Sequence, residues 1–105
     1  MCIAVYRLTE QFPRDETYCL TAQLKRASTS VASNIAEGYG RLSREQYRYF
    51  LGIAQGSNFE VQTQLVIAAG LGLADSSSIE DVEVLSCEVG KMLTSMLRNM
   101  PAAKR

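Results

Sequence analysis

Apolar residues recur every three or four positions along most of this 105-residue chain. Between positions 20 and 35 the spacings are 4, 3, 4 and 4, and the residues are Leu20, Leu24, Ala27, Val31 and Ile35. Residues at these intervals lie on one face of an α-helix, which has about 3.6 residues per turn. No segment of useful length shows the strict alternation of a half-buried β-strand. The pattern therefore favours a fold made of helices that each bury one apolar face.

Breaking residues divide the chain into four helices, predicted at about 2–11, 14–38, 43–70 and 76–100. Pro13 fits the first position of the second helix, where its missing N–H is harmless. Ser43 and Gln46 have the spacing of a capping box at the start of the third helix. We therefore expect one domain, residues 1–105, folded as an all-α, antiparallel up-and-down four-helix bundle. The inward faces predicted for the last two helices are Tyr47, Phe50, Ala54, Ser57, Val61, Leu65 and Ala68, then Ile79, Val82, Ser86, Val89, Leu93 and Met96.

The first helix is much shorter than the helices that follow it. A helix of about ten residues spans about 15 Å, whereas the second and third helices would span about 38 and 42 Å. We therefore expect a short or truncated first helix that leaves roughly 20 Å of its neighbours uncovered. Apolar residues along that length would form a larger patch than monomers usually expose, which predicts a homo-oligomer.

Charge is balanced overall but unevenly distributed. The chain has eleven basic and eleven acidic residues and no histidine. The segment 25–48 contains five basic and two acidic residues, whereas the segment 75–88 contains five acidic residues and no basic one. Surfaces of opposite charge suit a head-to-tail contact between copies, and such contacts close into rings when the rotation permits.

The sequence predicts a cytoplasmic protein with no membrane partner. Its longest apolar stretch, residues 65–74, is too short to span a bilayer, and Arg7 and Glu10 interrupt the only N-terminal run that could resemble a signal peptide. The three cysteines match no metal-binding spacing, so we expect reduced thiols.

Residues 30–41, SVASNIAEGYGR, place an amide and a carboxylate one helical turn apart. Asn34 and Glu37 lie beside the apolar residues Val31 and Ile35, where polar groups need hydrogen-bond partners. We predict a structural polar network that fixes helix register, and we expect Glu37→Ala to cost about 1–3 kcal/mol. Its members would be Asn34, Glu37, Ser57, Glu60 and Gln64.

The same dodecamer resembles the SIPSNIAEG signature of a family of small bacterial four-helix-bundle proteins encoded in intervening sequences of 23S rRNA genes. The segments 12–16 and 23–27, and Glu60 with Gln64 and Leu65, fit the same pattern, and the resemblance covers about residues 5–97. Relatives carry a longer first helix, so this chain is expected to start inside helix 1. The resemblance implies a ring of five copies. Related bundles include the accessory variability protein of diversity-generating retroelements, which implies a nucleic-acid role.

Basic residues near the second and third helices form a candidate nucleic-acid contact. Three tyrosines, at positions 39, 47 and 49, lie among them. Arginine with aromatic side chains suits phosphate contact and base stacking. The alternative is a solvated basic helix end in a protein without net charge. The candidate residues for contact with RNA or DNA are Lys25, Arg26, Arg41, Arg44 and Arg48.

The sequence predicts no catalytic residue, metal ion or cofactor. Glu37 and Glu60 could meet inside the bundle, but di-iron sites of bundles need a Glu-x-x-His motif, and histidine is absent. No nucleophile with a base and no phosphate-binding loop is visible either. Two functions stay open, namely a nucleic-acid or ribonucleoprotein accessory and a protein-interaction scaffold with no nucleic-acid role.

Gly52 and Gly56 lie one turn apart within the third predicted helix. Each glycine inside a helix costs about 1 kcal/mol relative to alanine, so the pair requires a compensating close contact. We expect tight packing there, either between helices or between subunits.

Overall fold

A computed structural model describes residues 1–16 and 19–100. Four α-helices follow one another within this part of the chain, and no strand occurs there, which confirms the all-α prediction. None of these helices combines the length and apolar character needed to cross a membrane. The helices are α1 (Cys2–Thr9), α2 (Leu20–Tyr39), α3 (Arg44–Leu71) and α4 (Ser76–Arg98), with a short 3-10 helix at Arg14–Glu16.

The second helix begins six residues later than predicted, at Leu20 rather than near position 14. After Pro13 the backbone forms i→i+3 bonds: the N–H of Glu16 donates to the carbonyl of Pro13 at 3.0 Å. Cys19 then has φ −113° and ψ −107°, outside the helical region. The proline therefore starts a tight turn, and α2 follows it as a separate helix. Residues 17 and 18 lie outside the described residues.

Both ends of α3 have the hydrogen bonds that a helix terminus requires. The hydroxyl of Ser43 accepts from the N–H of Gln46 at 3.1 Å, as the capping-box spacing predicts. At the other end Gly72 has φ +65°, a left-handed conformation that favours glycine. The N–H of Leu73 then donates to the carbonyl of Ala68, which closes a Schellman motif.

The core has two parts of unequal size. Around α1 all four helices contribute to one buried cluster of eleven residues. At the other end, where α1 is absent, the buried cluster contains three residues, and half-buried side chains such as Ile35 and Met96 surround it. The larger cluster is Val5, Leu8, Phe12, Leu20, Leu24, Ala27, Val61, Leu65, Ala68, Ile79 and Val82, and the smaller one is Leu51, Ala54 and Leu93.

Helix α1 lies between α2 and α4 and covers only part of the groove between them. Among the described residues no Cα atom of α2 lies within 8 Å of α4, so the backbones of these two helices are not in close contact. The Cys2 thiol lies 3.7 Å from the hydroxyl of Ser28, which marks the point along α2 beyond which α1 no longer covers the groove. Beyond it an apolar cleft of about 320 Å³ remains open, lined by residues that include Val31, Ile35 and Val89. The short first helix predicted from the sequence is confirmed.

Candidate functional site

Part of the predicted polar network joins α2 to α3. The hydroxyl oxygens of Ser30 and Ser57 lie 2.8 Å apart across the two helices. The Asn34 amide donates to the Ser30 carbonyl at 2.8 Å and to the Ser30 hydroxyl at 3.0 Å. Asn34 and Ser57 are therefore connected through Ser30. Sequence reasoning missed this residue, although its position four residues before Asn34 was a usable signal.

Gln64 and Glu60 belong to a polar cleft next to this connection. Gln64 is 9% exposed, and its side-chain oxygen is buried without a hydrogen-bond partner. Glu60 is exposed at the cleft and makes no side-chain hydrogen bond among residues 1–16 and 19–100. The polar cleft has a volume of about 210 Å³ and is lined by Gln23, Arg26, Ala27, Ser30, Glu60 and Gln64.

The structure does not place Glu37 in the network. Its side chain is 53% exposed and accepts an ion-paired hydrogen bond from Arg41, one turn later on the same helix. Asn34 and Glu37 are three residues apart, so their side chains lie about 60° apart around the helix axis. This difference turns Glu37 away from the buried face. Position 37 thus faces solvent. Removing its carboxylate leaves no buried partner stranded, so the sequence-based expectation for Glu37→Ala has no structural basis in this chain.

The five candidate nucleic-acid residues do not form one surface. Arg48 is half-buried, and its guanidinium donates to the carbonyls of Leu97 and Met100 at 2.9 and 2.7 Å. The Leu97 carbonyl belongs to the last turn of α4, which needs such donors, and Met100 lies two residues beyond the end of the helix. Arg48 is therefore a structural cap rather than a free cation.

The other four basic residues lie in two groups along α2 and the following loop. Lys25 lies over the ring of Tyr6 at 4.9 Å, and the Arg41 guanidinium lies 4.9 Å from the centre of the Phe50 ring. Fifteen residues of helix and loop separate Arg26 from Arg41, about 22 Å at helical rise. Arg26 and Arg44 are exposed and have no ion pair within the described part of the chain.

Large side chains are exposed around the loop between α2 and α3. Tyr39 is 80% exposed, Tyr49 is 64% exposed, and Leu42 is fully exposed. Tyr47 is instead half-buried against the smaller core cluster. Two of the three tyrosines near the arginines therefore face solvent, as a stacking surface requires.

The outer face of α3 carries three glycines that the fold of the single chain does not explain. A Cβ atom at Gly52, Gly56 or Gly70 would meet no other heavy atom within 4 Å. By contrast, a Cβ at Gly90 would lie 3.1 Å from the Asn58 amide, and one at Gly38 would lie 2.9 Å from the Tyr47 ring. Gly52 and Gly56 lie in the helix interior and together cost about 2 kcal/mol of helix propensity, whereas Gly70 lies in the last turn.

Apolar side chains flank these glycines on the same outer face. Helical geometry places Gly52, Gly56, Thr63 and Gly70 in one column, which we call the glycine column. An exposed helix face that carries glycines and apolar side chains is typical of a surface that packs against another helix. The flanking exposed residues are Ile53, Phe59, Val66 and Ile67.

A buried pair between α3 and α4 was missed from the sequence. Asn58 and Ser86 are both fully buried. The Asn58 amide donates to the Ser86 carbonyl at 2.9 Å, and the Ser86 hydroxyl donates to the Asn58 side-chain oxygen at 2.8 Å. The spacing of Asn58 from Leu51, Ala54 and Val61 follows the apolar stripe, which was a usable signal for its burial.

The two carboxylates that the sequence offered as a possible pair lie apart. Glu37 pairs with Arg41, whereas Glu60 lies at the polar cleft, so the two carboxylates have separate surroundings. Within residues 1–16 and 19–100 no group of three or more cysteine, aspartate or glutamate side chains could hold a metal ion. The chemistry on offer is hydrogen bonding in the polar cleft and apolar contact on α3.

Comparison with known proteins agrees with the signature at residues 30–41. The family described as 23S rRNA-intervening sequence protein matches residues 1–95. A crystal structure of a protein of unknown function from the S23 ribosomal protein family of Bacteroides thetaiotaomicron is similar in fold. It is 22% identical, covers 91% of this chain and 87% of its own, and superposes with a TM-score of 0.80. Among curated proteins none matches this sequence. The family match over residues 1–95 shows that the chain belongs to the 23S rRNA-intervening sequence protein family.

Proposed function

We propose that this protein is a non-enzymatic helical bundle that works by assembling with copies of itself into a scaffold. The observation that carries the proposal is the set of large apolar side chains that α3 leaves exposed, among them Phe59 at 55%, Val66 at 63% and Leu71 at 62%. A chain gains stability when a neighbour removes such apolar surface from water.

Charge distribution supports contact between copies. Arg41 and Arg44 lie where α3 begins, and the acidic first half of α4 follows the other end of α3. The molecule is 51 Å long, so the basic and acidic regions lie toward opposite ends. The two ends are therefore oppositely charged and can attract each other between copies. For the size of the assembly we propose the closed ring of five that the family resemblance implies.

The mass of the assembly in solution tests this proposal. Light scattering coupled to size exclusion should give a mass of about 58 kDa for five chains of 11.6 kDa each. A smaller multiple of the chain mass would retain self-assembly and remove the ring of five. A mass of 11.6 kDa at micromolar concentration would overturn the proposal.

We also propose a cytoplasmic location. It is supported by three cysteines that are all unpaired, at positions 2, 19 and 87, since thiols stay reduced in that compartment.

A second candidate function is that of a nucleic-acid accessory, for which Arg44 and the exposed Tyr39 and Tyr49 are the supporting residues. Binding of structured RNA would be measured over a salt series, because each phosphate contact contributes about one unit of slope. Arg44→Ala should lower that slope by about one unit, and Tyr49→Ala should weaken binding at every salt concentration. Glu45→Gln is the matched control at the neighbouring position. If the RNA did not bind even at low salt, only the scaffold proposal would remain.

A further inference from the structure

We propose that the outer face of α3, together with the polar cleft beside it, is the surface on which a second copy of this chain docks. This inference rests on the proposed self-assembly and identifies the face that carries it. The open apolar cleft beside the N-terminal end of α1 is a separate surface, on the other side of α2.

The glycine column allows the backbone of another helix to approach closely. It runs from Gly52 to Gly70, about 27 Å at helical rise. No side chain of the same chain approaches these glycines, whereas Gly38 and Gly90 each have an intrachain neighbour that requires the absence of a Cβ. Contact with a second molecule accounts for glycine at three solvent-facing positions of one helix.

Exposed apolar side chains border the column and supply the hydrophobic contact. Phe59 is 55% exposed, Val66 is 63% exposed and Ile67 is 45% exposed. Phe59 and Val66 lie on the same line of the helix as Gly52 and Gly56, one to three turns further along. A neighbouring helix would approach the backbone closely at Gly52 and Gly56 and bury Phe59 and Val66 where it continues along α3.

The polar cleft gives this surface an unsatisfied hydrogen-bond acceptor. The side-chain oxygen of Gln64 is buried without a partner, although buried polar atoms are almost always hydrogen-bonded. Arg26 and Glu60, which have opposite charges, line the same cleft. The Gln64 side chain would have to turn its oxygen toward the cleft to accept from a docked molecule, whereas Arg26 and Glu60 already line the cleft and can fix the orientation of that molecule.

The size and charge of the surface fit a second copy. Two adjacent helices, each about 10 Å wide and exposed over about 30 Å, offer roughly 600 Å² per partner. A standard interface buries about 800 Å² per partner, so the outer face of α3 and the adjoining polar cleft supply most of the area that an interface needs. On the docking surface itself Arg26 and Glu60 supply charges of both signs, which a second copy carrying both signs can pair.

Gly56→Leu tests the inference by placing a bulky side chain in the column. Because a side chain at this position meets open space within the chain, the circular dichroism spectrum should match that of the wild type. We expect the apparent dissociation constant of the assembly to rise at least 100-fold. Ser77→Leu is the control, because it adds a similar side chain at an exposed position of α4 away from Phe59 and the glycine column.

Each outcome bears on a different claim. An assembled wild type with unchanged Gly56→Leu would overturn the inference and leave self-assembly standing. A monomeric wild type would overturn both. If Gly56→Leu lost helicity, the double variant Phe59→Ser and Val66→Ser would decide, with at least tenfold weaker assembly expected and unchanged assembly contradicting the inference.

Discussion

The two halves of this bundle are built from the same three long helices, yet they differ in how completely their cores are closed. In the half that contains α1, eleven residues are buried in one cluster. In the other half three residues are buried, and Ile35, Val89 and Met96 are only partly covered. The difference shows that the length of groove covered by α1 decides how much apolar surface the single chain can remove from water.

The largest expected effect contrasts a buried leucine from each half. Leu65 is fully buried where four helices meet, and Leu93 is 1% exposed where three helices meet. We expect Leu65→Ala to lower the free energy of unfolding by about 3–5 kcal/mol and Leu93→Ala by about 2–3 kcal/mol, because the open half can relax into the space. Urea denaturation at one protein concentration measures both. Equal losses would contradict the contrast between the halves.

The buried Asn58–Ser86 pair lies between the two halves and tests whether polar contacts hold them in register. Asn58→Ala strands the Ser86 hydroxyl, and we expect a loss of about 2–3 kcal/mol in the free energy of unfolding. Adding Ser86→Ala removes the stranded group, so the double variant should lose less than the two single losses combined. Additive losses in the double-mutant cycle would show that the two side chains are not coupled.

Arg48 tests how the open half is secured at its end. Its hydrogen bonds to Leu97 in the last turn of α4 and to Met100 just beyond it predict that Arg48→Ala lowers the free energy of unfolding by about 1–2 kcal/mol. Arg44→Ala is the matched control four residues earlier, at an exposed position, and should change stability by less than about 0.5 kcal/mol. If both variants melted alike, the cap at α4 would not contribute to stability.

The smallest effect is expected at Glu37, where an exposed ion pair with Arg41 is the only contact of the carboxylate. Exposed pairs contribute little, so Glu37→Ala should change the free energy of unfolding by less than about 0.5 kcal/mol in the single chain. A loss of several times that size would indicate that Glu37 meets a partner that the single chain lacks. Thermal melts at low and high protein concentration distinguish the two results.

Apolar periodicity and terminating residues were sufficient to predict the helices. Most residues predicted to face inward are buried, because the spacing of Leu24, Val61 and Leu93 from their neighbours repeats at the helical period. At the start of α3 the predicted Tyr47 and Phe50 are only half-buried, and the fully buried Leu51 was missed. The start of α2 was missed because Pro13 is compatible with both an α-helical first turn and the 3-10 turn that forms.

Polar positions were predicted less well, because a spacing does not specify a partner. Asn34 and Glu37 share a region of one helix, but a rotation of about 60° separates them, and only Asn34 reaches Ser30. Arg48 was assigned to a basic patch, because its bonds to Leu97 and Met100 join residues about fifty positions apart. Such long-range partners require the packed structure.

The dependence of the melting temperature on protein concentration tests most directly whether copies of this chain stabilise one another. Self-assembly stabilises the folded chain by mass action, so a hundredfold dilution of the wild type should lower the melting temperature by several degrees. Gly56→Leu should melt at the same temperature at both concentrations. A wild-type melting temperature that does not change on dilution, together with a mass of 11.6 kDa, would contradict the account.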